Sequence, residues 1–251
     1  MKKSVLKVQM FGTYSIEYEG NPVSFERNTT TKTNQLMQIY CRRERRALQE
    51  QNFCQTSLAM KRCRIRQTAP GNCISPAQTF GAAGLPEDEY VTIKGGSYYW
   101  TSGIPYELDA HQFEELLKKA EKENDPEKKK SYIEEACELY RGEFLPQLGA
   151  EGWAVVLNVY YKNLFSNAMR TLCQVLKDEK DYKKLYHCAE KAAVIYPLED
   201  WQIWQMDSLI AMDRQDEAMV LYETTTGTFI IRNLDLHRLI RMKERFPAVE
   251  V

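Results

Sequence analysis

The residues best able to bind a charged ligand are basic ones that cluster in a single segment. Residues 41–80 hold eight Lys/Arg and two Asp/Glu, a local charge of +6, so the rest of the chain carries −7 within a net charge of −1. Arginine binds phosphate through a planar guanidinium that is always charged. The segment therefore has the chemistry to hold a nucleic-acid backbone without reading its sequence. Its arginines are Arg42, Arg43, Arg45, Arg46, Arg62, Arg64 and Arg66.

Metal-binding and catalytic spacings are absent from the sequence. The seven cysteines include no C-x-x-C pair, and their odd number does not indicate a disulfide framework. The three histidines, His111, His187 and His237, are isolated from one another along the chain. Neither the phosphate-binding motif G-x-x-x-x-G-K-[ST] nor the nucleophile motif G-x-S-x-G occurs. We therefore expect a protein that is not an enzyme and that uses no cofactor or metal.

Length and composition indicate a folded protein. With 251 residues, of which 43% are hydrophobic and 27% charged, the chain can bury a core in one large domain or two modest ones. Its apolar runs are far shorter than the ~20 residues of a membrane span. Lys2-Lys3 leads into alternating residues and not into the apolar core of a signal peptide. We expect a cytoplasmic protein that does not bind membranes.

The sequence pattern of the first hundred residues predicts strands on both sides of a helical segment. Leu6–Phe11 and Tyr14–Tyr18 alternate apolar with polar side chains, and Gly20-Asn21 supplies a turn. This pattern predicts a short antiparallel meander with one buried face. A helix is predicted to begin near residues 34–39. Residues 89–100 read as a second hairpin, whose turn contains two adjacent glycines.

The rest of the chain predicts helices. Asp109 stands in a fair N-cap position, and Asp125-Pro126 separates the first two helical stripes. Leu185–Glu190 can be laid over Ala218–Glu223 at an offset of 33 residues, close to the ~34-residue tetratricopeptide period. A tetratricopeptide-like helical domain is therefore predicted. Its later helices are Trp153–Leu176, Tyr182–Ile195, Trp201–Met212 and Asp216–Thr226.

The most specific motif is Tyr-Arg-Gly-Glu-Phe-Leu-Pro at residues 140–146, followed by Trp153. With Leu108–Phe113, Val8–Gly12 and Gly95–Tyr98, it resembles the Streptomyces antibiotic regulatory protein family. Members of that family join an OmpR/PhoB-type winged helix to a bacterial transcriptional activator domain. The resemblance implies an α+β N-terminal winged helix over residues 1–103, followed by an all-α tetratricopeptide-like helical domain over residues 104–251.

That family consists of DNA-binding transcriptional regulators, so the resemblance implies that this chain is one too, and an activator. A winged helix inserts one helix into the major groove and lays its hairpin along the adjacent backbone. The implied partners are double-stranded promoter DNA, RNA polymerase and a second copy of the chain as a homodimer. The residues expected to contact DNA are Thr30, Thr31, Lys32, Arg62, Arg64, Arg66, Lys94, Gly95, Ser97 and Tyr98.

Aromatic residues of the helical part are the candidates for contact with a protein partner. They are Trp153, Tyr160, Trp201 and Trp204. The simpler interpretation of such residues at helical spacing is that they form the core. For the N-terminal hairpin, the simpler interpretation is a surface hairpin whose Lys94 is only solvated.

The sequence departs from the family where the recognition helix should lie, at about residues 60–83. Pro70-Gly71 would stop any helix there after a few residues. We hypothesise that residues 40–80 and 228–240 are translated out of frame. A two-base shift lets residues 59–64 read Asp-Glu-Glu-Val-Ser-Asp and residues 232–235 read Glu-Leu-Gly, both similar to the family. If this hypothesis is right, the arginines of these segments are not evidence for DNA binding.

The rival hypothesis is a genuinely divergent basic segment, in which Arg62, Arg64 and Arg66 hold phosphate. A second reading of the whole protein also stays open. The chain would then be a helical protein–protein interaction module with a degenerate N-terminal domain that does not bind DNA. Binding to duplex DNA at low salt distinguishes the two functions.

Overall fold

The structure is a computed structural model that describes most of the C-terminal part of the chain and selected parts of the N-terminal half. The helix predicted near residues 34–39, the basic segment 40–80 and residues 232–240 lie outside the described residues. The described ranges are 5–23, 85–86, 91–94, 97–100, 103–149 and 152–231.

The chain divides into two compact units. Unit 1 consists of Met1–Gln112 and Phe144–Asn158, and unit 2 of Phe113–Glu143 and Val159–Val251. The domain boundary predicted near residue 103 stays a prediction. The stretch from Phe144 to Asn158 belongs to unit 1 although it follows far later in the sequence.

Six short strands are present among the described residues, all in unit 1. Four of them form one sheet in the order β3-β2-β1-β6, and the other two form a separate hairpin. The strands are β1 (Leu6–Gln9), β2 (Ser15–Tyr18), β3 (Asn21–Pro22), β4 (Val91–Lys94), β5 (Ser97–Trp100) and β6 (Tyr106–Leu108).

The predicted N-terminal meander is confirmed. β1 and β2 pair antiparallel with Val8 opposite Ile16, and both side chains are buried while their sequence neighbours point outward. The turn into β3 uses Glu19 and Gly20, with φ of 53° and 85°. Two central residues of positive φ suit the twist of a two-residue hairpin. The turn therefore lies one residue earlier than the predicted Gly20-Asn21.

Strand β6 was not predicted from the sequence. It pairs parallel with β1, with Leu6 opposite Tyr106 and Val8 opposite Leu108. Three residues are too few to show a strand period. The strand runs directly into the first helix, so it places the first residue of that helix beside the end of β1.

The second hairpin is confirmed in its backbone. β4 and β5 pair antiparallel, with Val91 opposite Trp100 and Lys94 opposite Ser97. The loop that joins them has two residues, as the adjacent glycines predicted. Lys94 and Ser97 are therefore the last pair before the hairpin tip.

Six α-helices follow in the part of the chain that the structure describes. Asp125 caps the second helix by accepting from the Glu127 amide, and Asp181 caps the fourth by accepting from the Lys184 amide, as expected for N-cap aspartates. The helices are α1 (Asp109–Lys122), α2 (Pro126–Leu139), α3 (Gly152–Asp178), α4 (Tyr182–Ile195), α5 (Trp201–Ala211) and α6 (Gln215–Ile231), with a short 3-10 turn at Pro146–Leu148.

The repeat-like character of unit 2 is supported by burial. Helices α4 and α6 begin 33 residues apart, at Tyr182 and Gln215. The buried positions also correspond, since Leu185 aligns with Ala218 and Ala189 with Tyr222, and all four are nearly inaccessible. Both helices pack against α5, as consecutive helices of a tetratricopeptide-like array do.

None of the helices in the part of the chain that the structure describes is long and apolar enough to cross a membrane.

Candidate functional site

The described cysteines lack the chemistry of reactive thiols. Cys137 and Cys173 are buried and Cys188 is half-buried. Burial raises the pKa of Cys188 to about 11 and of Cys173 to about 12, and it raises the pKa of Cys137 further. Because the thiolate is the nucleophile and the metal ligand, these groups stay unreactive at neutral pH. Within the described ranges, no cluster of His, Cys, Asp and Glu has the arrangement of a metal site.

The candidate DNA contacts are only partly within the described residues. Lys94 ends β4, and Ser97 and Tyr98 begin β5, so these three lie beside the hairpin tip. The structure describes their backbone. The other candidates, Thr30, Thr31, Lys32, Arg62, Arg64, Arg66 and Gly95, lie outside the described residues.

Asp109 binds the end of strand β1 within unit 1. Its carboxylate accepts hydrogen bonds from the backbone amides of Met10, at 2.8 and 2.9 Å, and of Phe11, at 3.0 Å. In the structure Asp109 is the first residue of the helix and not its N-cap, and its carboxylate binds the strand end instead. The same strand end is bound on its other side, where the Leu145 amide donates to the Met10 carbonyl at 2.9 Å and Phe11 pairs with Phe144.

Leu145 takes an unusual backbone conformation to make this contact. Its φ of 44° and ψ of 59° lie in the left-handed region, although it is not glycine and precedes Pro146. Such a conformation costs a leucine roughly 1–2 kcal/mol. The side chain is fully buried, which offsets that cost. Phe144 and Leu145 of the Tyr-Arg-Gly-Glu-Phe-Leu-Pro motif therefore bind the end of β1 within unit 1.

The core of unit 2 contains a cluster of aromatic rings. Tyr140 stacks on Phe165 at 4.2 Å between ring centroids, and Phe113 lies 5.6 Å from Tyr140. The hydroxyls of Tyr140 and Tyr196 share a hydrogen bond of 2.6 Å. Burial raises the pKa of Tyr196 to about 12, and it raises that of Tyr140 still more. These four aromatic residues are buried and form part of the core of unit 2.

One side of α3 presents cations to aromatic rings. These cations are spaced eight and seven residues apart on the helix, so they recur on one side of it. The pairs are Lys162 over Tyr196 at 4.5 Å, Arg170 over Trp201 at 5.1 Å and Lys177 over Trp204 at 5.5 Å.

The same cations are also paired with carboxylates. Glu199 accepts from Lys162 at 3.0 Å and from Arg170 at 3.2 Å, and its side chain is only 14% exposed. Lys177 pairs with Asp207 at 3.2 Å. The sequence analysis did not predict these cation–aromatic pairs. The helical spacing of Lys162, Arg170 and Lys177 was nevertheless visible in the sequence.

The four candidate partner-binding residues are not brought together. Trp201 has no exposed surface, so its described surroundings are those of a core residue. Trp204 is half-buried beneath Lys177. Tyr160 is 44% exposed on α3 and is the most accessible of the described candidates. Trp153 lies in α3, and the structure describes only its backbone. Partner contact by these residues stays a prediction.

An open groove on unit 2 was not anticipated from the sequence. Lys191 at its edge donates to the Cys137 carbonyl at 2.9 Å and pairs with Glu138 at 3.2 Å, so it is largely engaged within the unit. Val194 is 79% exposed there. The lining residues are Arg141, His187, Glu190, Lys191, Val194 and Ile195.

A solved structure with a similar fold has low sequence identity to this chain. It is Mycobacterium tuberculosis EmbR in complex with a low-affinity phosphopeptide, with a TM-score of 0.54 and 15% identity. The likeness covers 96% of this chain but 65% of that one, so this chain spans less than two thirds of the EmbR length. A search of curated proteins finds no significant match.

A family model describes the second half of the chain. The bacterial transcriptional activator domain matches residues 108–243, which is more than half of the sequence. The match begins at the Leu108–Phe113 motif, includes Leu145 and extends past the end of α6. The chain belongs to the bacterial transcriptional activator domain family.

Proposed function

We propose that this chain is a DNA-binding transcriptional activator similar to the Streptomyces antibiotic regulatory proteins. Its N-terminal part would bind double-stranded promoter DNA as a winged helix. Its helical part would mediate self-association and contact RNA polymerase. The main support for the proposal is the match of residues 108–243 to the bacterial transcriptional activator domain family. A β-hairpin precedes that domain in the sequence.

The hairpin of β4 and β5 supports the assignment of a wing. Its tip is a two-residue loop, and Lys94 and Ser97 are the last residues paired before it. A lysine and a hydroxyl beside a two-residue loop suit contact with DNA phosphates, which position a protein on the duplex. The net charge of the chain is −1, so attraction to DNA must be local and not a property of the whole surface.

The test is a salt titration of DNA binding by the full chain. The probe is a fluorescent duplex obtained by selection from a random-sequence library on the immobilised protein, and binding is followed by anisotropy. We expect log K to fall linearly with log salt, with a slope of about −0.9 for each phosphate neutralised. If neither selection nor low salt gives binding, the proposal fails, and the chain is a helical protein–protein interaction module.

A further inference from the structure

We draw no further inference here: the strongest candidate, the open groove of unit 2 beside Val194 of α4, carries no proposal because Lys191 and His187 at its edge already pair with Glu138 and Glu190 of the same unit, and nothing in the described residues shows what would cover it.

Discussion

Both carboxylate oxygens of Asp109 accept a hydrogen bond from the backbone amide of Met10, a residue 99 positions earlier in the chain. Met10 follows the last residue of β1, and Asp109 is the first residue of α1. The link therefore holds the start of the first helix against the end of the first strand. Backbone amides at a strand end need an acceptor once they are buried, and a carboxylate is a strong one.

Replacing Asp109 should destabilise the protein. Asp109→Ala removes the acceptor of the Met10 and Phe11 amides, and hydrogen bonds to a charged group are worth about 1.5–3 kcal/mol each in net stability. We expect a loss of at least about 2 kcal/mol in the free energy of unfolding by urea. Asp109→Asn keeps one accepting oxygen and should lose less. Asp178→Asn, at an exposed position, should change stability by less than about 0.5 kcal/mol.

Local signals explain which parts of the fold could be predicted. Helix α4 runs from Tyr182 to Ile195, as predicted, because Asp181 caps its start and Pro197 follows its end. The 33-residue offset in the sequence was the only signal that α4 and α6 are equivalent, and the two helices bury corresponding positions. Strand β6 was missed because three residues show no period. The partners of Asp109 were missed because no local pattern connects it with Met10.

The candidate site residues were harder to predict. Trp201 and Trp204 look alike in the sequence, yet one is fully buried and the other is half-buried under Lys177. Which turn of α5 faces the core depends on how α3 packs against it, and spacing within α5 does not contain that information.

Trp201→Ala should be far more damaging than Trp204→Ala. Removing a fully buried tryptophan costs about 3–5 kcal/mol because it leaves a cavity. Trp204 is half-buried, so we expect a loss of about 1–2 kcal/mol. Chemical denaturation of both variants provides the measurement. Equal stability of the two would show that Trp201 is not a core residue.

The protein should lose stability in alkali through Tyr140 and Tyr196. Burial raises the pKa of Tyr196 from its ordinary value near 10 to about 12, and that of Tyr140 also rises. The folded state thus holds these protons more tightly than the unfolded chain, so this stabilisation is fully present below pH 10 and is lost as the pH rises through 12.

The measurement is the urea midpoint between pH 8 and pH 11.5 at about 0.5-unit steps. A protein with both Tyr140→Phe and Tyr196→Phe should lose less stability over this range. The buried thiols are present in both proteins, so their titration cancels in the comparison. Removing both hydroxyls together leaves neither without a partner, which keeps the variant folded at neutral pH. Identical pH profiles would contradict the assignment.

Lys94→Ala should weaken DNA binding without altering the choice of sequence. A lysine on a phosphate contributes about one unit to the slope of log K against log salt, so that slope should become shallower by about 1. Lys128→Ala, a change at a 65% exposed lysine of α2, is the charge-matched control and should leave the slope unchanged. An unaltered slope for Lys94→Ala would leave the hairpin as an ordinary surface feature.

Resequencing the gene across the codons for residues 36–86 and 224–244 tests the frame hypothesis. We expect the corrected reading to show an amphipathic helix between residues 60 and 83. The DNA contacts assigned to Arg62, Arg64 and Arg66 would then pass to residues of that helix. If the DNA encodes the chain as written, the basic segment is genuine and DNA binding should be weak and blind to sequence.

The equivalence of α4 and α6 makes the helical part of the protein modular. Residues 182–214 have the length of one module, and α5 packs against a helix of matching burial on each side. A second copy of those residues inserted after Arg214 would offer α5 the same apolar positions that α6 now offers. The length of this array is therefore a variable that gene duplication, or a protein engineer, can change in steps of 33 residues.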